Sequence, residues 1–439
     1  MVFSRFFGRK ADEADGADEA DRSDSPSVDE ELAPEDLVEP SLAERAAARM
    51  PSAVSTGSKR ADALYGDVEV DAPVGPTHFI RADGCRIETA ERETLVDCTM
   101  ALGAVAIGYA DPAVTRAVME AAGAGNVAGL SHALEVDVAE RFCEVVPCAE
   151  KVQFLKSGAE AVSAAVRIAR TYTGRDVVIG SGYFGWHDWS SDAAGVPAAI
   201  RSDYRAVPFD DIAALERAAD GAGTTLAAIV IEPVVERLPS PEWIARARAL
   251  CDAHGAVLVF DELKTGFRLA TAGYQQYADV VPDLAAFGKA LANGFPLAAV
   301  CGRADVMDAA RKTWISSTLA GESTGLAAAY VVLELHRESD VCAELSRVGA
   351  EMRRAVQAAL DASGAAGVAL AGLDPMWLLR FGSASDEATF LRTAVSEGVL
   401  FKRGAYNFAS LAHDDEAMHA IERAASAGFI AIRETGVQS

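Results

Sequence analysis

The strongest constraint on this chain lies between residues 151 and 302. There it sets down five short, nearly unbroken apolar runs: KVQFL, DVVIG, TLAAIVIEPV, AVLVFDE and LAAVCG. Helical patterns such as AVSAAVRIARTYTG and PEWIARARALCDAHG separate several of them. A strand that is apolar on both faces must be covered on both, and a crossover helix is the usual cover. The alternation predicts an α/β fold with a mostly parallel sheet. Upstream, THFIRADGCRIETAERETLVDCTM reads as a β-meander around an Asp-Gly turn, and DPAVTRAVMEAAGAG as a helix with Pro112 in its first turn and glycine at its end. Past about residue 330 the pattern becomes helix, short strands, helix. That predicts a second, smaller α+β domain, expected to draw on both chain ends because the meander is also sheet-like.

Charge narrows the range of partners. The formal charge of -25 over 439 residues argues against nucleic acid or an anionic membrane surface as the main partner. Residues 11–40 hold thirteen Asp or Glu against one Arg, too acidic and too poor in apolar side chains to order on their own. With the basic, aromatic MVFSRFFGRK before it, this stretch forms a tail, residues 1–45, expected to be disordered and to serve as a solvated tether or docking arm. The seven cysteines show no metal-type spacing, and no run has the length and lack of charge of a membrane span. A cytoplasmic protein without a metal site is the expectation.

Five places carry candidate chemistry. Lys289 stands in the largely apolar AAFGKALANGFPLAAV, although the chain has only eight lysines. An ammonium there must pair, reach solvent, lose its proton, or serve as the amine of a Schiff base. In FLKSGAEA, Ser157 and Gly158 open a helix whose amides suit an anion; Ser157 with Glu160 also reads as an ordinary capping box. Asp261 ends the run VLVFD, either as a cap or partner of Arg268, or to hold a proton on a heteroaromatic nitrogen. SGYFGWHDW crowds Tyr183, Phe184, Trp186 and Trp189 at a strand end, a core edge or a platform for a flat ring. Ser317 and Thr318, in SSTLAGES, offer hydroxyls to an anion.

Taken together and in this order, these motifs resemble the class III (subgroup II) pyridoxal-phosphate aminotransferases of fold type I, most closely the glutamate-1-semialdehyde aminomutase-like branch. The resemblance runs from about residue 60 to 437 through SGAEA, YTGR, YFG, EPV, DELKTGFR, PDLAAFGK, NGFP, STLAGE and SLAHDDE. It implies a large domain with a seven-stranded, mostly parallel sheet over residues 126–330. The smaller α+β domain would be built from residues 46–125 and 331–439.

The resemblance also implies that Lys289 holds the pyridoxal phosphate aldehyde and then moves the substrate proton, with Asp261 on the pyridine nitrogen. Ser157, Gly158 and the amide of Ala159 would take the phosphate. Tyr183, with Phe184 beside it, would stack on the ring; Leu263 would press its other face and Glu232 would organise the wall below. Ser317 and Thr318 would reach the phosphate of a neighbouring subunit, so a homodimer with shared sites is implied. The implied activity moves an amino group from an amino acid donor, such as glutamate, to a carbonyl acceptor in secondary-metabolite or polysaccharide biosynthesis. Aminomutase or epimerase chemistry is the alternative, and a non-catalytic interaction protein a further one. Met100 and Leu102 stand where such aminomutases carry Gly and Trp, and Ala405 where they carry a gating Glu. Arg237, Lys402 and Arg403 are the remaining substrate candidates, each also readable as loop charge.

Overall fold

The computed structural model describes residues 40–66 and 75–436, so the acidic segment up to residue 39 lies outside the described residues. The chain divides into two units, Met1–Arg60 and Ala61–Ser439. In the first, Ser41 and Glu44 form a capping box on the short helix Leu42–Ala47. The sheets and the helices packed on them belong to the second unit.

Its chain opens with a meander of β1 (Phe79–Asp83), β2 (Arg86–Thr89) and β3 (Thr94–Asp97). Helix α1 (Pro112–Ala124) follows, capped by Asp111 with Pro112 at its start and Gly125 at its end. The large sheet then takes β4 (Lys151–Leu155), β5 (Val177–Ser181), β6 (Tyr204–Ala206), β7 (Leu226–Ile231), β8 (Val257–Asp261), β9 (Leu284–Phe287) and β10 (Ala298–Gly302) in the order β4-β10-β9-β8-β7-β5-β6. From β9 to β6 every pairing is parallel; β10 runs antiparallel to both β9 and β4. The short strands β6 and β9 were not distinguished in the sequence pattern.

Alternate strand residues Val178, Ala228, Val230, Val257, Val259, Leu284, Ala286, Ala298 and Val300 form one packed cluster with Ala161, Val162, Ala165, Val166 and Ile168 of helix α2 (Gly158–Thr173). The central strands are buried along their whole length: all six residues of β7 and all five of β8 are buried. This is why their sequence is continuously apolar instead of alternating. Each large aliphatic side chain buried in this layer contributes ~1.5–3 kcal/mol to the sheet whose strand ends carry the site.

After residue 322 come helices α3 (Ser323–Glu338) and α4 (Val341–Ser363), strands β11 (Val368–Leu373) and β12 (Met376–Phe381), helix α5 (Ala384–Ser396), β13 (Val399–Leu400), β14 (Asn407–Phe408) and helix α6 (Asp415–Gly436). β11, β12 and β14 form a three-stranded sheet. β13 pairs in parallel with β3, which joins the late chain to the early meander.

The two chain ends are also held by Arg268, which is fully buried. Its guanidinium donates to the carbonyls of Gly103, Val105, Pro375 and Ala409 at 2.7–3.2 Å and lies over the Phe408 ring. The pairing of Asp261 with Arg268 considered above is therefore not formed: the guanidinium is spent on carbonyls. One neighbour of this clasp is unusual. Met100, Ala101, Leu102 and Gly103 are four successive residues with positive φ (42°, 51°, 60° and 79°). Such a left-handed turn is costly for side chains with a Cβ, and Asp97 supports it by accepting from the amides of Thr99 and Met100.

Candidate active site

Parallel strands direct their carboxyl ends to one edge of the sheet, and ligands of such folds gather there. At that edge lies a cavity of about 430 Å³. Asp261 reaches it as the last residue of β8, Leu263 and Lys264 from the turn that follows, and Lys289 from just beyond β9. Glu232 arrives one residue after β7, Tyr183 two residues after β5, and Ser157, Gly158 and Ala159 at the head of α2.

Three lysines line this cavity, and two are neutralised by neighbours. Lys156 pairs with Glu322 at 2.8 Å and donates to the carbonyl of Pro296. Lys264 pairs with Glu232 at 2.5 Å. Lys289 makes no hydrogen bond or ion pair among the described residues. Its backbone holds a left-handed φ of 50°, uncommon outside glycine and frequent where structure over-determines a functional residue. Burial lowers its pKa, with Asp261 opposing and Lys264 adding to the effect. The result is an amine that holds its proton less tightly than a free lysine does. Burial, and then the charge of Glu232, raise Asp261 to about 7. Its Oδ1 accepts the amide of Leu263 at 3.0 Å.

The opposite wall suits an anion beside a flat group. Ser157 and Glu160 form the capping box, so the Ser157 hydroxyl and the Glu160 carboxylate both serve the helix end. The amides of Gly158 and Ala159 head the same helix with no acceptor among the described residues, the ordinary state of a helix start and an anion site when exposed. Close packing keeps the wall narrow: a Cβ on Gly158 would come within 2.5 Å of Leu263, and one on Gly185 within 2.5 Å of Ala159. Tyr183 is exposed at the cavity, and its amide donates to Glu232 Oε2 at 3.1 Å.

Several expected site residues lie elsewhere. Phe184 is buried and stacks on Trp189 with centroids 5.6 Å apart, inside the core beneath α2. The backbone between Gly182 and Gly185 turns Tyr183 outward and Phe184 inward, where its apolar ring is better stabilised, so Phe184 does not line the cavity. Arg237 pairs with Asp210 at 2.5 Å and covers the Phe209 ring. Lys402 donates to the Ala63 carbonyl, while Arg403 binds the Asp62 carbonyl and Glu387. These three cations staple loops and are absent from the cavity wall. Met100 is fully buried and Leu102 half-buried in the left-handed turn; the cavity contact from this segment is Ala104. Ser317 and Thr318 lie outside the cavity on a partly exposed loop before Glu322.

The residues present fit a pyridine ring bearing an aldehyde and a phosphate: a free amine, a buried carboxylate, an aromatic face and a helix start share one cavity. Comparison with known proteins agrees. The family model for class-III aminotransferases matches residues 68–182 and 187–419. Among solved structures, the FumI protein of Sphingopyxis sp. MTA144, in its PLP internal aldimine form, superposes with a TM-score of 0.84 and 26% identity, covering 90% of this chain and 96% of that one. An omega-transaminase from Sphaerobacter thermophilus gives 0.78 and 25%, covering 89% and 97%. A β-phenylalanine aminotransferase from Variovorax paradoxus shares the fold at 0.76 and 23%, covering 90% and 93%. The chain belongs to the class-III aminotransferases, enzymes that work with pyridoxal phosphate.

Proposed function

We propose that this enzyme transfers an amino group from an amino acid donor, glutamate being the first to test, to a carbonyl acceptor in a biosynthetic pathway for a secondary metabolite or polysaccharide. The observation that carries the reading is the unpaired amine of Lys289 in one cavity with buried Asp261. Pyridoxal phosphate, when bound, supplies a carbonyl that condenses with amines and a ring that accepts the electron pair left at the substrate Cα. Lys289 holds the cofactor between turnovers and, once released, takes the Cα proton and returns it. Its lowered proton affinity suits both tasks. Asp261 retains the proton of the ring nitrogen, a role that restores its ionised form. Glu232 fixes the Tyr183 amide and with it the aromatic wall. Gly158, Ala159 and Ser157 hold the phosphate, and Leu263 limits the opposite face.

Transfer between two molecules, not within one, is favoured because Ala405 has no group to close over an intermediate. Ser317 and Thr318 complete the phosphate site of a second copy, so the working form is a homodimer in the cytoplasm. Within the second unit, the reading takes residues 126–330 as a large domain and the segments before and after them as a small one. The test is to load the purified protein with pyridoxal phosphate, reduce it with borohydride and map the modified lysine. A panel of amino donors then follows the spectral change of the first half-reaction. Fixation on a lysine other than Lys289, or product from one amino carbonyl compound with no second substrate, would refute the reading.

A further inference from the structure

We propose that Lys264 is a positioning residue of this active site, holding the Glu232 carboxylate on the Tyr183 amide and placing a second positive charge in the cavity that Lys289 shares. The inference rests on the reading of Lys289 as the cofactor's lysine.

The geometry is specific. Lys264 is buried, its Nζ is 2.5 Å from Glu232 Oε1, and it lies 4.2 Å from the centroid of the Tyr406 ring. The other carboxylate oxygen of Glu232 accepts the Tyr183 amide at 3.1 Å. Gly182 packs so closely on Glu232 that a Cβ there would approach to 2.4 Å. Tyr406 is itself fixed, its hydroxyl accepting the Glu236 amide at 2.6 Å. The Lys264 ammonium is thus the junction between the β7 wall, the turn after β8 and the segment before β14.

A buried ion pair is weak evidence of a stabilising role, because desolvation offsets most of the attraction and well-packed apolar side chains serve as well. A site role accounts better for its position on the cavity wall. Four charged groups act on Lys289: Asp261 and Glu232 favour its ammonium form, whereas Lys264 and Arg268 oppose it. Burial opposes it most. Lys264 in turn faces Glu232 and Tyr406. Two carboxylates beside one amine would keep it protonated. Lys264 cancels one of them and adds repulsion of its own, so a larger fraction of Lys289 is the neutral nucleophile at neutral pH. Removing the Lys264 charge must therefore move Lys289 towards its protonated form.

The experiment uses the full-length enzyme stripped of cofactor. Lys289 is modified with a limiting amine-acylating reagent between pH 6 and 10, and its fractional modification is read by peptide mass spectrometry. Pyridoxal phosphate binding is followed in parallel by tryptophan quenching. Lys264→Gln offers Glu232 an uncharged hydrogen-bond donor in place of the ammonium; Lys264→Arg keeps the charge. We expect roughly tenfold less Lys289 modification at pH 8 in Lys264→Gln, a pH midpoint shifted upward, and a near wild-type profile in Lys264→Arg. Equal profiles in all three proteins, or equal loss in both variants, would overturn the proposal. Wild-type Lys289 that pyridoxal phosphate does not protect from the reagent would refute the Lys289 assignment itself, a separate outcome.

Discussion

Replacing Arg268 with methionine tests how the two chain ends are secured. The change removes the guanidinium from four buried carbonyls, those of Gly103, Val105, Pro375 and Ala409, of which Pro375 keeps the amide of Ala409 as a donor. Hydrogen bonds from a charged donor contribute about 1.5–3 kcal/mol each, so the gross loss is about 6–12 kcal/mol. Against this stands the cost of burying the guanidinium, which pushes its pKa down to about 10. That corresponds to about 3 kcal/mol recovered when the charge is removed. The net destabilisation is therefore about 3–9 kcal/mol, a large share of the ~5–15 kcal/mol that holds a typical domain folded. Lysine at this position keeps a charge but cannot reach four carbonyls in a fixed fork, and should fall between wild type and methionine. Urea unfolding followed by circular dichroism, at matched slope, gives the difference directly. A loss below about 1 kcal/mol in both variants would show that the carbonyls find other donors and that the clasp is not what joins the ends.

Further outcomes follow from the same structure. Phe184→Ala should cost about 3–5 kcal/mol of stability through a core cavity while leaving cofactor affinity nearly unchanged; the reverse pattern in paired melting and binding measurements would put the ring at the cofactor. Asp261→Asn tests a pH effect. Because the folded apo-protein holds the Asp261 proton up to about pH 7, while the unfolded chain releases it near 3.8, this group makes stability fall as pH rises between those values. The apo-form of the asparagine variant should match wild type near pH 4 and exceed it above pH 7, as unfolding at several pH values would show. Gly185→Ala, with a Cβ forced to within 2.5 Å of Ala159 at a φ of 90°, should weaken pyridoxal phosphate retention at least tenfold in a dialysis assay. Removal of residues 2–45 should leave turnover and oligomeric state intact.

What could be read in the sequence follows the range of the forces involved. The buried strands were legible because burial on both faces writes a continuous apolar run, and β8 with Asp261 at its end is the plainest case. Lys289 was legible as a charge out of place in such a run. The direction of Phe184 was not, since it depends on the conformations of Gly182 and Gly185, which a sequence does not record. Which reading holds for Arg237, Lys402 and Arg403, substrate contact or loop charge, was not legible for a different reason. Their partners Asp210, the Ala63 carbonyl and Glu387 lie 27, 339 and 16 residues away, and only the folded chain brings them together. Lys264 was visible within DELKTGFR, but its pairing with Glu232, 32 residues earlier, was not.

The parallel pairing of β13 with β3 bears on how the molecule is made. Val399 meets Val96 and Leu400 meets Asp97, so the early meander cannot acquire its last strand until nearly the whole chain has been synthesised. At ~5–20 residues per second, the roughly 300 intervening residues take about 15–60 s to emerge, during which the other β3 edge waits unpaired. The carbonyl of Ala409 reaches Arg268 from 141 residues downstream, and so it too arrives late. The sheet that carries Lys289 and Asp261 is translated well before either closure. A ribosome paused after residue 330 would therefore hold a chain with the cofactor lysine already made and the meander still open. Slow codons or chaperone binding in that interval would act on the yield of finished enzyme without touching a single residue of the cavity.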